Sequence, residues 1–197
     1  MCHEHLEYYS LHVIKKILEA ADLKLLTVSL NNINGGSFAI TATKNTHCSI
    51  KPDIELIHWF LEEEINMGFL TLTPYQNFKD RVFEHTNKLK TLIQRLVTEG
   101  KRIVGYGAST KGNVLLQVCG FTSKEILALA EVNEEKFGRL TPGTHIPIIS
   151  DQEARKIKPD YFLVLPWHFK ENILRREKEY LIQGGKFIFP FPTIEII

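Results

Sequence analysis

Beyond Gly100 the chain alternates short apolar runs with amphipathic stretches, and this alternation restricts its fold more than any other feature of its 197 residues. The runs Ile103–Gly105, Ile126–Glu131, Tyr161–Leu165 and Lys186–Phe189 are brief and rich in β-branched or aromatic residues. Between them, Lys111–Val118, Asp151–Ile157 and Lys170–Ile182 carry helical spacing, and a loop through Thr141, Pro142, Gly143 and Thr144 follows the second run. Parallel strands need long crossovers, and helices laid on both faces of the sheet supply them. The expected fold class is α/β, a parallel sheet with flanking helices.

A different texture precedes it. From Ser10 to about Ala21 the apolar residues Leu11, Val13, Ile14, Ile17 and Leu18 recur at three- and four-residue spacing behind a Ser N-cap, which predicts a helix. Leu23–Leu30 and Ser37–Thr43 read as strands joined by the turn cluster Asn31–Gly36, a β-hairpin. Pro52 and Asp53 open a helix that stops at Gly68, and a longer one runs from about Pro74 to Thr98 before Gly100. No Gly/Ser/Pro-rich linker intervenes. The expected organisation is a helix and hairpin region over 1–73, a bracing helix over 74–100 and a sheet domain over 101–197.

Bulk composition selects no partner. The 24 basic residues are offset by 23 acidic ones, so there is no excess of positive charge of the kind that holds nucleic acid. No apolar run approaches the roughly 20 residues of a membrane span, and no basic patch with an apolar core opens the chain. Cys2, Cys48 and Cys119 form neither a disulfide ladder nor a paired metal-ligand pattern, which points to a reduced, cytoplasmic setting with no metal site. Met1 runs at once into Cys2, His3, Glu4, His5, Leu6, Glu7, Tyr8 and Tyr9, an opening that reads as a piece of a longer protein.

The segment from Ile103 to Asn113 carries the strongest chemical signal. In an open α/β sheet the first strand-to-helix turn lies at the carboxyl edge, where helix amides and the positive dipole end face an anion. Gly105 and Gly107 let the backbone approach closely, and Ser109, Thr110 and Lys111 add hydroxyl donors and a cation suited to a diphosphate. Thr110 stands where a dinucleotide fingerprint has its third glycine, and Gly-Lys-Ser/Thr in that order is absent. Glu131, at the end of the second strand, is placed to accept ribose hydroxyls. The whole therefore reads as a Rossmann-like site for a nucleoside diphosphate.

His3, Glu4 and His5 form a second cluster. Proton abstraction beside a carbonyl needs a base poised near neutrality, which a histidine or a desolvated glutamate supplies. Metal ligation would need convergence that adjacent side chains lack unless the backbone is irregular. A solvated terminus is the third reading, and the residues alone leave all three open.

The stretch His3–Leu11, with Tyr8, Tyr9 and Ser10, resembles the His-Glu-His-Leu-x-Tyr-Tyr-Ser-Leu signature of the S-adenosylmethionine-dependent sugar C-methyltransferases of deoxysugar biosynthesis. Tyr106–Asn113, Pro142–Pro147, Leu165–Asn172 and Gly184–Pro190 are similar to further blocks of that family, in the same order. The resemblance implies the C-terminal part of such an enzyme, with a zinc-binding region and a methyl-donor domain ahead of the first block. Glu4 and His5 would then be the acid/base residues, one taking the proton beside a 4-keto group of a nucleoside diphosphate sugar. The methyl donor, S-adenosylmethionine, would be bound mainly by the methyl-donor domain, in cis or in trans. Tyr8, Ser109, Lys111, Asn113, His145, Trp167 and His168 would join Gly105, Gly107 and Glu131 in holding the substrate. Cys2 departs from the tyrosine frequent in the family, and Asn34–Ala39 lacks the histidine and arginine of its His-Gly-Gly-Ser-x-Arg turn. Two rival readings are an NAD(P)-dependent oxidoreductase domain and a non-catalytic nucleotide-binding module.

Overall fold

The structure, a computed structural model, describes residues 7–33 and 36–197. It divides into two compact units: residues 82–197 form one, and the described residues up to Arg81 form the other. The division falls within one helix, α3 (Thr73–Thr98).

The first unit comprises α1 (Leu11–Ala20), the strands β1 (Leu23–Asn31) and β2 (Ser37–Lys44), α2 (Ile54–Asn66) and the start of α3. The strands pair antiparallel from Leu23 opposite Lys44 to Asn31 opposite Ser37, with an irregularity between Leu25 and Thr27. Leu11, Leu25, Val28 and Ile57 form the buried centre, backed by Leu18, Phe38, Ile40 and Phe60. The start of α1 is held by two caps. Ser10 Oγ accepts from Val13 N, while the buried carboxylate of Glu64 on α2 accepts from the amides of Leu11 and His12. His12 Nδ1 lies 2.8 Å from the same carboxylate. The unpaired donors of a helix's first turn are thus met by a carboxylate 53 residues away from Leu11, at the end of the dipole where negative charge is favoured.

The second unit is a three-layer sandwich around a six-stranded sheet of order β5-β4-β3-β6-β7-β8. β3 (Ile103–Tyr106), β4 (Leu129–Glu131), β5 (Ile148–Ser150), β6 (Tyr161–Val164) and β7 (Lys186–Phe189) run parallel, and β8 (Glu195–Ile196) closes the edge antiparallel. Strand residues alternate between faces. Ile103, Leu129, Leu163 and Ile188 pack with Leu89, Ile93 and Leu96 of α3 and Leu115 and Leu116 of α4 (Thr110–Cys119). Val104, Ala130, Phe162, Val164 and Phe187 pack on the other side with Ala154 of α5 (Asp151–Lys156) and Ile173 of α6 (Lys170–Arg176), and Tyr180 of α7 (Lys178–Ile182) joins them. The expected α/β architecture, Rossmann-like sheet with flanking helices behind a helix and hairpin, is the one observed.

Three details differ from the expectation. Two strands, β5 and β8, go beyond the four expected; at three and two residues they are too short for an alternation to register. The second expected strand is trimmed at its start to Leu129–Glu131. The single helix expected over Lys170–Ile182 is two, α6 and α7, parted at Glu177. The cause of the break is long-range. Glu177 is buried and accepts from Tyr106 Oη at 2.7 Å and Arg155 Nη2 at 2.7 Å, with Arg176 Nε at 3.3 Å. Burial disfavours its charge, yet these donors together hold its carboxyl below the usual range, while burial first and Glu177 second push Tyr106 up to about 12.

Candidate functional site

The strand order runs outward from β3 through β4 to β5 on one side and through β6 to β7 on the other, so the topology switches between β3 and β6. Ligands of open α/β sheets sit outside the carboxyl ends of the strands at such a point. Here that place is occupied by the turn from β3 into α4.

Gly105 belongs to β3 itself, and its lack of a side chain serves packing: a Cβ there would come within 2.2 Å of Leu129 Cδ2. Gly107 makes the turn. Its φ of +79° favours glycine, and a Cβ would press on the Pro166 ring at 3.1 Å. The next residue is gripped from both sides, because Ala108 N donates to Glu131 Oε2 at 2.9 Å and Ala108 O accepts from Lys136 Nζ at 3.0 Å. Ser109 then caps α4, its Oγ accepting from Gly112 N at 3.0 Å and its carbonyl accepting from Asn113 N. Gly112 brings α4 against β6, since a Cβ there would lie 2.4 Å from Leu165 Cβ. Asn113 Oδ1 is buried and, among the described residues, has no hydrogen-bond partner.

Glu131 is spent on the turn. Besides Ala108 N and Lys136 Nζ, which meet Oε2, the amides of Val132 and Asn133 meet Oε1. A carboxylate offers about four acceptor positions, and all are filled from within the chain. Burial opposes the charge, but the donors from Val132, Asn133, Ala108 and Lys136 outweigh it and hold the carboxyl below its ordinary range. A ribose hydroxyl would have to displace one of these donors. The signal missed in the sequence was Lys136, five residues past Glu131.

On the other side of the switch point, Trp167–Phe169 forms a single 3-10 turn after β6. Trp167 is half-buried against Phe191, 4.7 Å between ring centroids, and Phe191 stacks on His85 of α3 at 4.7 Å. His85 Nε2 stands 2.6 Å from Pro190 O, which fixes this aromatic chain at the carboxyl edge. His168 is exposed, and partial burial first and the Lys111 ammonium second lower its pKa, favouring a neutral imidazole. Lys111 and His168 stand in the segments that follow β3 and β6, neighbouring strands of the sheet. Beside them a cleft of about 260 Å³ is lined by Tyr106, Pro166, Phe169, Asn172, Ile173 and Arg176. A larger open groove of about 980 Å³ runs between α5 and α7, but its Arg155 is already paired with Asp151 and Glu177.

His145 is not brought to this edge, contrary to the expectation. Its loop, Thr141–Ile146, feeds the amino end of β5, and Gln117 Nε2 near the far end of α4 donates to Pro142 O at 2.8 Å. His145 itself is exposed with φ +53°, in a turn closed by the Thr141 side chain and backbone. A parallel strand enters at the edge opposite its ligand end, which is why the loop lies there. Tyr8 belongs to the first unit and is 64% exposed. Glu4 and His5 lie outside the described residues, as do Cys2, Asn34 and Gly35. Among the described residues, no three His, Cys, Asp or Glu side chains converge as metal ligands, and no helix is long and apolar enough to cross a membrane.

Comparison with known proteins supplies the setting for this geometry. Residues 32–192 match a family described as the C-methyltransferase C-terminal domain. Over 196 residues the chain is 34% identical to the C-methyltransferase NovU of Streptomyces niveus, covering 99% of this chain and 46% of that protein. The chain thus spans about half the length of the curated relative it matches.

Proposed function

For a chain that belongs to the C-methyltransferase C-terminal domain family, we propose the role of the substrate-binding and acid/base part of a C-methyltransferase acting on a nucleoside diphosphate 4-ketosugar. The observation that carries the reading is the turn at Gly107–Ser109, held on both sides of Ala108 and leading into a capped helix at the switch point of the sheet. A preformed turn of this kind, followed by Lys111, favours a diphosphate without a large ordering cost. Ser109, Lys111 and Asn113 serve the diphosphate side, Trp167 and His168 the neighbouring wall, and Tyr8 the substrate, while Glu131 acts indirectly by keeping the turn in shape. Glu4 and His5 exchange the proton on the carbon beside the keto group.

S-adenosylmethionine supplies the methyl group when the whole enzyme is assembled. Its binding falls to a methyl-donor domain outside this chain, in cis or in trans. Binding the remote nucleotide firmly is how such a part contributes to rate, because it orients the reacting carbon before chemistry begins. Calorimetric titration of the chain with dTDP, UDP, S-adenosylmethionine and NAD tests the reading. Saturable binding of a pyrimidine diphosphate, and not of the other two, is the expected outcome. Binding of NAD alone would replace the reading with an oxidoreductase.

A further inference from the structure

Of the consecutive glutamates Glu62, Glu63 and Glu64 on α2, only Glu64 is buried. Its side chain is 10% exposed, and among the described residues its hydrogen bonds all go to the start of α1. Oε1 accepts from Leu11 N, while Oε2 accepts from His12 N at 2.9 Å and has His12 Nδ1 2.8 Å away. Leu11 is held a second time by its own side chain, 1% exposed in the apolar centre with Val28 and Ile57. Two independent ties therefore fix the residue at the head of α1.

Stability does not require so elaborate an anchor. The first-turn amides of a surface helix are met by water or by a side-chain cap, and Ser10 already supplies such a cap to Val13 N. Burying a carboxylate carries a desolvation cost, and exchanging a buried ionic contact for apolar packing is often neutral; the best attested use of such contacts is to fix register. What precedes α1 gives register a purpose. Glu4 and His5 stand seven and six residues ahead of Leu11, and residues 7–10 form no helix or strand. Leu11 is thus, among the described residues, the first in a regular element after the acid/base pair.

We infer that Glu64 is a positioning residue for the acid/base segment. By clamping Leu11 and His12 to α2 it sets the point from which the chain carrying Glu4 and His5 departs, and it touches no substrate itself. The inference rests on the acid/base reading of Glu4 and His5 above and deepens it. A reacting group misplaced by about 1 Å loses on the order of a hundredfold in rate. The diphosphate turn belongs to the other unit, residues 82–197, and should not register the change.

The test is deuterium wash-in, in deuterium oxide, at the carbon beside the ketone of a dTDP-linked 4-ketosugar. The base takes the carbon-bound proton and returns a deuteron exchanged from solvent, so no methyl donor is needed. Proton NMR follows the reaction well below the melting temperature of each variant, and calorimetric titration with dTDP runs alongside. Glu64→Ala is expected to lower the saturating exchange rate at least about tenfold with dTDP affinity unchanged. Glu64→Gln keeps one carbonyl acceptor and the size of the side chain, so its rate should fall between those of Glu64→Ala and the parent. If Glu64→Ala does not fold, the Gln variant decides. Exchange at the parent's rate by the deciding variant makes Glu64 a structural residue only and overturns the inference, as does a loss matched in dTDP affinity. A parent chain that exchanges nothing overturns the acid/base reading beneath it, and the inference with it.

Discussion

Lys111 and Glu131 flank the same turn and should fail differently when changed. Lys111 stands on the first turn of α4 and belongs to none of the buried clusters, so Lys111→Ala should weaken dTDP binding by roughly tenfold or more, the worth of a charge-assisted contact, with a smaller effect on the melting temperature. Calorimetry together with thermal melting separates the two effects. Glu131 has a carboxyl held below its unfolded value, so its contribution to stability is present above the usual glutamate range and is lost as pH falls through its depressed folded value. Glu131→Gln should therefore flatten the acid limb of the stability curve between about pH 5 and pH 3, and a mutant whose acid unfolding matches the parent's would remove Glu131 from the turn. At Glu4 and His5 the expected readout is isotopic. In deuterium oxide the chain should wash deuterium into the carbon beside the ketone of a nucleoside diphosphate 4-ketosugar, and Glu4→Gln with His5→Asn should abolish it, as followed by proton NMR.

Helices and strands were legible where their causes are local. Ser10 and Asp53 announce α1 and α2 because a cap acts within one turn, and each is seen accepting from the amide three residues on, as does Ser109 for α4, which the sequence offered only as a hydroxyl donor to a ligand. β3, β6 and β7 declared themselves by buried runs. What stayed hidden has distant causes: β5 and β8 exist through pairing with β4 and β7, the break at Glu177 through Tyr106 and Arg155, and the place of His145 through the direction in which β5 is entered. The glycine turn was readable as a motif, whereas the engagement of Glu131 depends on an amide 23 residues away. Glu64 is another such case. Glu64→Ala leaves the first-turn amides of Leu11 and His12 without their acceptor and should cost about 1–3 kcal/mol, read as a lowered melting temperature, with Glu64→Gln milder. Gly112→Ala should cost about as much by overpacking, through the clash with Leu165, and should loosen diphosphate binding by pushing α4 off β6.

For the molecule as a whole, two compact units, with the proposed diphosphate turn in one of them, predict uneven stabilisation. A ligand present at a hundredfold its dissociation constant adds about 2.7 kcal/mol to what it binds, so dTDP should raise the melting of the unit formed by residues 82–197. If calorimetric scans resolve two transitions, only one should move. The sheet of that unit also finishes, on both flanks, in strands of three and two residues, β5 and β8. Long bare edges invite neighbouring chains to add a strand, and very short ones offer almost no ladder to extend. A domain with five parallel strands, the kind that pairs late and is exposed to aggregation while folding, is thereby guarded at its borders: copies crowded together in a cell have little backbone to zip onto.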